Sequence, residues 1–376
     1  MGIANPPRAP VFSRQMFKKR YSRPGTAPAT LNPLPCAQAN TVLRVMEYGP
    51  DGMTERTVHS VEELPDAAPD GHVRWIELNG LGDVHLLKAL GERYNLHPLA
   101  LEDVLNIGQR PKFEAYENHL FVIAQMIYEE EGTTLCAEQV SMFVSEGLLI
   151  SVQEDAETDV FEPVRQRIRA GGGYVRKMGA DYLAYALLDA IVDHCFPVLE
   201  KIGETLEEME NEVFTKPTVK TTAQIHNFKR MLMQLRRFVW PERDVVSAML
   251  HSDSELIRKE TRVFLRDLYD HTVQIMDLIE AYREVTSGLF EIYLSSVSVR
   301  TNETMRVLTV ISAIFIPLTF IVGLYGMNFQ TTTADGQPAP ANMPELHWKY
   351  GYLFVVGLMA LVAAGQIYFF KRKKWL

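Results

Sequence analysis

The sequence predicts an α/β cytosolic domain that is followed by a long helical stalk and two C-terminal transmembrane helices. Three observations support this fold class. Strand-like and helix-like segments alternate up to about residue 180, helical patterns alone follow, and two uncharged runs occupy residues 307–325 and 350–370. A helix needs about 20 apolar residues to cross a bilayer, and each run is long enough. The chain therefore combines a soluble part with a membrane hairpin.

The N-terminal half is predicted to contain a tail and a mixed domain. Residues 1–40 are rich in proline, alanine and arginine, which predicts a flexible basic tail. Residues 41–180 alternate β-type runs with helical stretches, as is typical of a small α/β domain. The expected strands lie at 41–48, 73–78, 120–127 and 148–152, and the expected helices at 84–94, 99–105 and 160–169.

The following residues predict helices. Residues 181–254 contain two long helical patterns, at 181–214 and 221–251, which predict a cytosolic helical hairpin. A third pattern, residues 255–325, has no proline before Pro317 and runs directly into the first apolar run. Its apolar residues repeat at steps of three and four, as in packed helices. One continuous helix of this length would extend roughly 100 Å and would couple the cytosolic part to the membrane.

Charge is distributed unevenly along the chain. The formal net charge is −9, yet residues 1–24 contain six basic and no acidic side chains. The C-terminus, residues 371–376, is also basic. The body between these ends is strongly acidic, which argues against nucleic acid as a partner and favours divalent cations. The basic C-terminal residues are Lys371, Arg372, Lys373 and Lys374.

The basic residues also predict the orientation in the membrane. Lysine and arginine precede the first run and follow the second, whereas the loop 326–349 contains Lys349 alone. Since these residues are enriched in cytoplasmic segments, both termini are expected in the cytoplasm, on the inner side of the cell membrane, with the loop outside. The N-terminus lacks the apolar core of a secretory signal. Cys36, Cys136 and Cys195 form no CxxC pair, as expected for reduced thiols.

A stripe of small and polar residues follows one face of the first apolar run and the residues before it. Two interpretations remain open, because such residues either let membrane helices pack closely or line a water-filled pathway. Amides at both ends favour the pathway. The span contains no acidic side chain, which suits a cation that keeps much of its hydration. The stripe consists of Asn302, Met305, Thr309, Ser312, Ile316, Thr319, Gly323 and Gly326.

Other candidate sites have simpler explanations. The glycines at 171–173 lack the Lys-Ser/Thr of a phosphate-binding loop, so no nucleotide is expected. Asp193, His194 and Cys195 are consecutive, and helical neighbours point about 100° apart, so they cannot hold one ion without partners. We interpret them as structural. No nucleophile and base are paired in the sequence, so an enzyme is not expected.

The segment 325–329, Tyr-Gly-Met-Asn-Phe, stands between the two apolar runs and is followed by Met-Pro-Glu-Leu at 343–346. This combination resembles the CorA family of magnesium and cobalt transporters. Further segments are similar to the same family, and the resemblance covers residues 41–376. They lie at 97–103, 269–272, 293–298 and 373–376.

The resemblance implies a funnel-shaped homopentameric channel in the lipid bilayer, with the long helix of each subunit lining the pore. By this similarity Gly326, Met327 and Asn328 form the selectivity filter, and Glu345 lies in the external loop. Leu308 joins the stripe residues as pore-lining. The implied substrates are Mg²⁺ and Co²⁺, with Ni²⁺ as a further candidate. Lys371 to Lys374 would form a basic collar at the cytosolic membrane surface.

The resemblance also implies regulation by cytosolic Mg²⁺. Asp103 and Asp267 match a family site that bridges neighbouring subunits, and Glu102 and Asp189 match a second site nearby. Bound Mg²⁺ would neutralise the repulsion between subunits and keep the pore shut, and its loss would open the pore. From the sequence alone, Asp103 would be an ordinary surface carboxylate.

The chain departs from the family pattern in its external loop and at one pore position. Residues 330–342 lengthen the loop, Gln330 replaces a frequent acidic residue, and Ile316 stands where methionine is frequent. Three alternatives remain. The first is a Zn²⁺ transporter of the ZntB branch, the second a non-conducting two-span sensor or scaffold, and the third a membrane-anchored enzyme.

Overall fold

The computed structural model describes residues 11–12, 25–32, 41–65, 71–130, 134–155, 159–215, 218–328, 330, 332, 336–337, 343 and 348–375. The strands are β1 (Val11–Phe12), β2 (Val42–Gly49), β3 (Gly52–Val58), β4 (Val73–Asn79), β5 (Lys112–Ala115), β6 (Leu120–Glu130), β7 (Thr134–Ser145) and β8 (Leu148–Gln153). The helices are α1 (Val84–Arg93), α2 (Pro98–Leu105), α3 (Glu162–Ala170), α4 (Ala180–Asp193), α5 (Cys195–Thr215), α6 (Val219–Leu250), α7 (Lys259–Tyr325) and α8 (Gly351–Arg372). The chain divides into two compact units, Met1–Phe290 and Glu291–Leu376.

The first unit is built on one mixed sheet with the strand order β3-β2-β4-β8-β7-β6-β5. Neighbours in this order are antiparallel except β4 and β8, which are parallel and are separated in the chain by α1, α2 and the strands β5 to β7. Strand β4 is buried at every residue, as expected for a strand whose two faces are both covered.

Helices cover both faces of the sheet. The amphipathic helices α1 and α2 pack on one face and share a core with β2, β4, β6, β7 and β8. On the other face, α4 contacts four strands, and Phe161 packs edge-on against Trp75 of β4. Helix α3 ends at Gly171, whose φ of 71° suits a glycine after a helix C-terminus. The predicted α/β domain is therefore a three-layer sandwich.

The helix expected at 181–214 is interrupted. Helix α4 ends at Asp193, and α5 begins at Cys195 after the turn residue His194. The apolar pattern continues through this junction, but Pro197 has no N–H to donate to Asp193 O, which disfavours one continuous helix here.

The long helix begins at Lys259 rather than at residue 255. Ser252 and Ser254 each accept a hydrogen bond from a backbone N–H two residues later, which competes with helix formation. The carboxylate of Asp181 on α4 then accepts from Arg258 N at 3.0 Å and from Thr261 Oγ1 at 2.5 Å. A side chain from another helix thus supplies the N-terminal cap of α7.

Two parts of the segment predicted as a flexible basic tail contact the domain. Strand β1 pairs in parallel with β7. Leu31 packs against the core shared with α1 and α2. Ala29, with a positive φ of 64°, donates its backbone N–H to Glu102 Oε2 at 2.7 Å.

Three helical segments of the described chain are long and apolar enough to cross a membrane: Ala180–Thr215, Lys259–Tyr325 and Gly351–Arg372. In the first, 67% of the apolar window is buried inside the fold, so the sheet and helices already cover it. In the other two the buried share is 6%. The latter two are the predicted transmembrane helices.

Candidate ion pathway and regulatory site

The second unit has two distinct faces on α7. Val310 is buried, and Ile314, Pro317 and Ile321 are partly buried, while Gln366 Nε2 of α8 donates to Ala313 O at 2.9 Å. This face meets the second span. Residues two positions further along an α-helix lie about 200° away. The predicted stripe therefore faces away from α8.

The stripe residues are all exposed in the single chain. Met305, Leu308 and Ile316 expose 57%, 54% and 66% of their surface. The hydroxyl of Thr309 donates to Met305 O at 2.7 Å, so this side chain partly satisfies itself within the helix. The stripe residues are thus exposed, and they are available to line a pathway or to pack against another copy.

The filter segment follows the end of α7 directly. Gly326 N donates to Val322 O at 2.9 Å, and Met327 N donates to Leu324 O at 3.3 Å, so the chain makes one further turn. A Cβ atom at Gly326 would lie 3.1 Å from Val322 O, a tight contact with backbone. Asn328 is exposed immediately after this turn. Glu345 lies outside the described residues.

Two polar side chains hold Asp103 in the first unit. Lys112 Nζ lies 2.7 Å from Asp103 Oδ2, and Gln109 Nε2 donates to Asp103 Oδ1 at 2.7 Å. The neighbouring Glu102 accepts from Ala29 N. Glu102 and Asp103, the two carboxylates of α2 that the resemblance assigns to regulatory sites, therefore both have hydrogen-bond partners within the chain.

The two other predicted carboxylates lie near one tyrosine. Asp189 on α4 and Asp267 on α7 are both close enough to Tyr185 to affect it electrostatically. Burial raises the pKa of Tyr185 most, followed by the charges of Asp189, Tyr182 and Asp267. Asp267 is exposed and Asp189 partly buried. The surface between α4 and α7 is thus acidic.

Asp189 also belongs to a cluster with potential metal ligands. Asp189, Asp193 and His271 each offer one ligand atom, and these atoms lie within 4.8 Å of one another. Burial, followed by the charge of Asp193, raises the pKa of Asp189 to about 6. Asp193 therefore has partners from α4 and α7, and our interpretation of residues 193–195 as purely structural is incomplete. Cys195 is buried, and its thiol donates a hydrogen bond to Ile191 O.

A family model named CorA-like Mg²⁺ transporter protein matches residues 70–372. The chain belongs to this family. A CorA-family relative from Thermotoga maritima, named cobalt/magnesium transport protein CorA, is 41% identical over 363 residues, which cover 96% of this chain and 100% of the relative.

Solved structures show the same CorA fold. The complete CorA magnesium transporter from Methanocaldococcus jannaschii superimposes with a TM-score of 0.71 at 22% identity and covers 89% of this chain and 98% of its own. The ZntB cytoplasmic domain from Vibrio parahaemolyticus reaches 0.54 at 16% identity, over 68% of this chain and 98% of that domain. At these identities the likeness concerns the fold alone.

The ligand chemistry differs between the two groups of side chains in this CorA-family chain. Asp103, Glu102 and Asp267 offer carboxylate oxygens, the ligands that Mg²⁺ prefers. The cluster at Asp189 adds the imidazole of His271, which suits Co²⁺, Ni²⁺ or Zn²⁺ better. The oxygen donors therefore suit Mg²⁺, and the mixed donors of the Asp189 cluster can also suit a transition metal.

Sequence reasoning missed the roles of Lys112 and His271. His271 stands in the segment 269–272 that carries the family resemblance, yet its partners lie on α4, far away in the chain. Lys112 and Glu114 are two residues apart on β5 and therefore share a face, which is the available signal. Its partner Asp103 comes from α2.

The basic residues Lys371 to Lys374 lie exposed at the C-terminal end of α8. Cations near a helix C-terminus are favoured by the helix dipole. Trp375 stacks on Phe370, with ring centroids 6.0 Å apart, and so the chain turns back on the helix.

Proposed function

We propose that the protein is a membrane-potential-driven uptake channel for Mg²⁺, which also passes Co²⁺ and Ni²⁺. The observation that carries this proposal is the Gly-Met-Asn turn of residues 326–328, exposed at the end of a membrane-length helix in a chain of the CorA-like family. The relative named as a cobalt/magnesium transport protein supports the choice of Mg²⁺ and Co²⁺.

Asn328 supplies the chemistry of ion capture. Mg²⁺ loses its water reluctantly and favours octahedral oxygen coordination. A ring of neutral amide oxygens from several copies of Asn328 accepts hydrogen bonds from the ion's water shell without binding the ion too tightly for release. A membrane potential of 100 mV then supplies about 4.6 kcal/mol for a divalent cation.

The pathway requires several copies of the chain, because two spans cannot enclose a pore. We propose a homopentamer with both termini in the cytoplasm, in which the stripe from Asn302 to Gly323 lines the pore. The position of this stripe, away from α8, supports the proposal. The exposed basic C-terminus would form the collar at the cytosolic surface.

Cytosolic Mg²⁺ closes this channel by binding between subunits. Asp103 of one subunit and Asp267 of the next would hold one ion, with Glu102 and Asp189 contributing to a second. Bound ions remove the repulsion among these carboxylates and favour the closed ring, which is feedback by differential binding to two states.

Ion flux into proteoliposomes tests this function. We expect Mg²⁺ uptake that rises with an inside-negative potential, that is insensitive to a proton gradient, and that falls as Mg²⁺ inside the vesicle rises on the side of the regulatory domain. Co²⁺ and Ni²⁺ should compete. Preference for Zn²⁺ with coupling to protons would instead identify a transporter of the ZntB kind. Impermeability to each metal would favour a sensor or scaffold.

A further inference from the structure

Lys112 connects two carboxylates at the regulatory surface of the first unit. Its Nζ lies 2.7 Å from Asp103 Oδ2 and 2.6 Å from Glu114 Oε1, so one ammonium group serves both. Lys112 therefore places an ammonium group directly against the carboxylate that the proposed regulatory cation would bind.

Glu114 gives Lys112 a second place to bind. The hydroxyl of Tyr116 donates to Glu114 Oε2 at 2.7 Å, which leaves Oε1 for the lysine. Tyr116 is in turn stacked between His97 and His119, with ring centroids 4.5 Å and 4.9 Å away. Glu114 is thus held in place, and Lys112 can release Asp103 without becoming unpaired.

We propose that Lys112 is a built-in competitor for the regulatory divalent cation at Asp103, and that its exchange from Asp103 to Glu114 sets the Mg²⁺ concentration at which the site fills. The inference rests on the proposed role of Asp103 in Mg²⁺ sensing. It adds a tuning residue to that role, because a cation 2.7 Å from the carboxylate lowers the negative potential that attracts Mg²⁺.

The test uses the purified full-length protein and two readouts. The first is the Mg²⁺ concentration that gives half of the maximal thermal stabilisation in detergent. The second is the Mg²⁺ concentration that half-closes the channel in proteoliposomes. In Lys112→Met, which keeps the apolar stem and removes the charge, we expect both concentrations to fall about tenfold. Lys112→Arg keeps the charge and should stay within about threefold of the unmodified protein.

Glu114→Gln should act in the opposite direction. Without Glu114 the lysine has Asp103 as its remaining carboxylate partner, so both Mg²⁺ concentrations should rise. Removing a negative charge could raise them by a general electrostatic effect as well. The double variant Lys112→Met/Glu114→Gln separates the two explanations, since direct exchange predicts that Glu114→Gln has little effect once the lysine is gone. An undiminished effect in that background would overturn the exchange.

Two controls separate this inference from the function on which it rests. Lys88→Met removes a lysine that pairs with Glu92 on α1 and should leave both concentrations unchanged. An equal shift there would reduce the Lys112 effect to net charge. Asp103→Asn should weaken the response to Mg²⁺. If it does and Lys112→Met does not lower the half-closing concentration, the competitor idea fails and the sensor stands. If Asp103→Asn responds to Mg²⁺ normally, both fail.

Discussion

The two units of the chain differ in how far their apolar side chains are buried and their charged side chains are paired. In the first unit the apolar core is closed, and buried charges have partners, as in the pair Arg165 Nη1 to Glu77 Oε1 at 2.6 Å. In the described part of the second unit, Val310 and Phe370 are the buried large apolar side chains, while many others on both helices are exposed. The first unit therefore resembles an ordinary soluble domain, and the second does not.

This difference indicates that the two units are stable in different surroundings. An exposed apolar surface of this extent is stable only against lipid or against other protein. The backbone of α7 and α8 is satisfied internally, as a membrane requires. The polar stripe is the exception on this apolar surface, and it lies on the face that α8 leaves open. The stripe is therefore open to contact with another copy of the chain, as the proposed channel requires.

The largest expected effect concerns the tip of the second unit. Asn328→Ala removes the amide that would hold the hydrated ion but leaves the turn at Gly326 and Met327 intact. We expect Mg²⁺ flux into proteoliposomes to fall by a factor of 100 or more, on the order of the cost of about 3 kcal/mol for a lost polar contact to a charged group. Thermal stability of the first unit should not change.

Trp348→Ala is a matched control for this change. Trp348 lies in the same segment between α7 and α8 and is exposed, yet it carries no amide and packs against Phe354 of α8. Flux should stay within a few-fold in this variant. Normal flux through Asn328→Ala would remove the amide ring from the mechanism and return the stripe to a role in helix packing.

The next effect concerns a buried acid in the first unit. Glu242 on α6 is 4% exposed, and its Oε1 accepts a hydrogen bond from Gln125 N at 2.7 Å. Gln125 belongs to the part of β6 that follows the residues paired with β5, so its N–H is bonded to Glu242 instead. Burial raises the pKa of Glu242 to about 8, although the bond from Gln125 opposes the shift. The pKa of the Cys195 thiol is also raised, first by burial and second by the nearby charge of Glu242.

The sign of the pH dependence follows from the raised pKa. Between about pH 4.5 and pH 8 the folded chain keeps a proton that the unfolded chain releases, so this group's contribution to stability falls by about 1.4 kcal/mol per pH unit. It is present in full below this window and absent above it. Glu242→Gln should unfold at a less pH-dependent temperature than the unmodified protein and should gain most at pH 8. Parallel melting curves against pH would show that Glu242 is not protonated in the fold.

Local patterns predicted much of the first unit, but contacts between distant segments did not follow from them. The strands β2, β4, β6 and β8 and both membrane helices are close to their predicted positions, because periodicity and length are local properties. The break at His194 has a local signal in Pro197, whereas the start of α7 and the ion pair between Lys112 and Asp103 depend on side chains from separate elements. That the stripe residues share one face of α7 was predictable from their spacing, whereas what contacts this face was not.

A smaller effect is expected at the start of α7. Asp181→Ala removes the acceptor for Arg258 N and Thr261 Oγ1 inside a buried junction, and we expect a loss of about 2–3 kcal/mol. Hydrogen exchange should increase in the first turns of α7. Asp83→Ala is the control, because Asp83 also caps a helix, α1, but does so from its own N-cap position and is exposed, and its loss should cost about 1 kcal/mol. Equal losses of unfolding free energy in the two variants would mean that burial of the capping carboxylate does not increase its contribution to stability.

The smallest expected effect compares the two faces of α7 directly. Ile316→Met and Ile314→Met make the same change two residues apart, one on the stripe and one on the partly buried face toward α8. A volume-conserving exchange at an exposed position costs little, so Ile316→Met should change melting by less than about 1 °C and flux by less than about threefold. Ile314→Met disturbs packing and should lower the melting temperature more, with a cost below about 1.5 kcal/mol. If Ile316→Met were the more destabilising of the two, the stripe would be a packing surface rather than the wall of a pore.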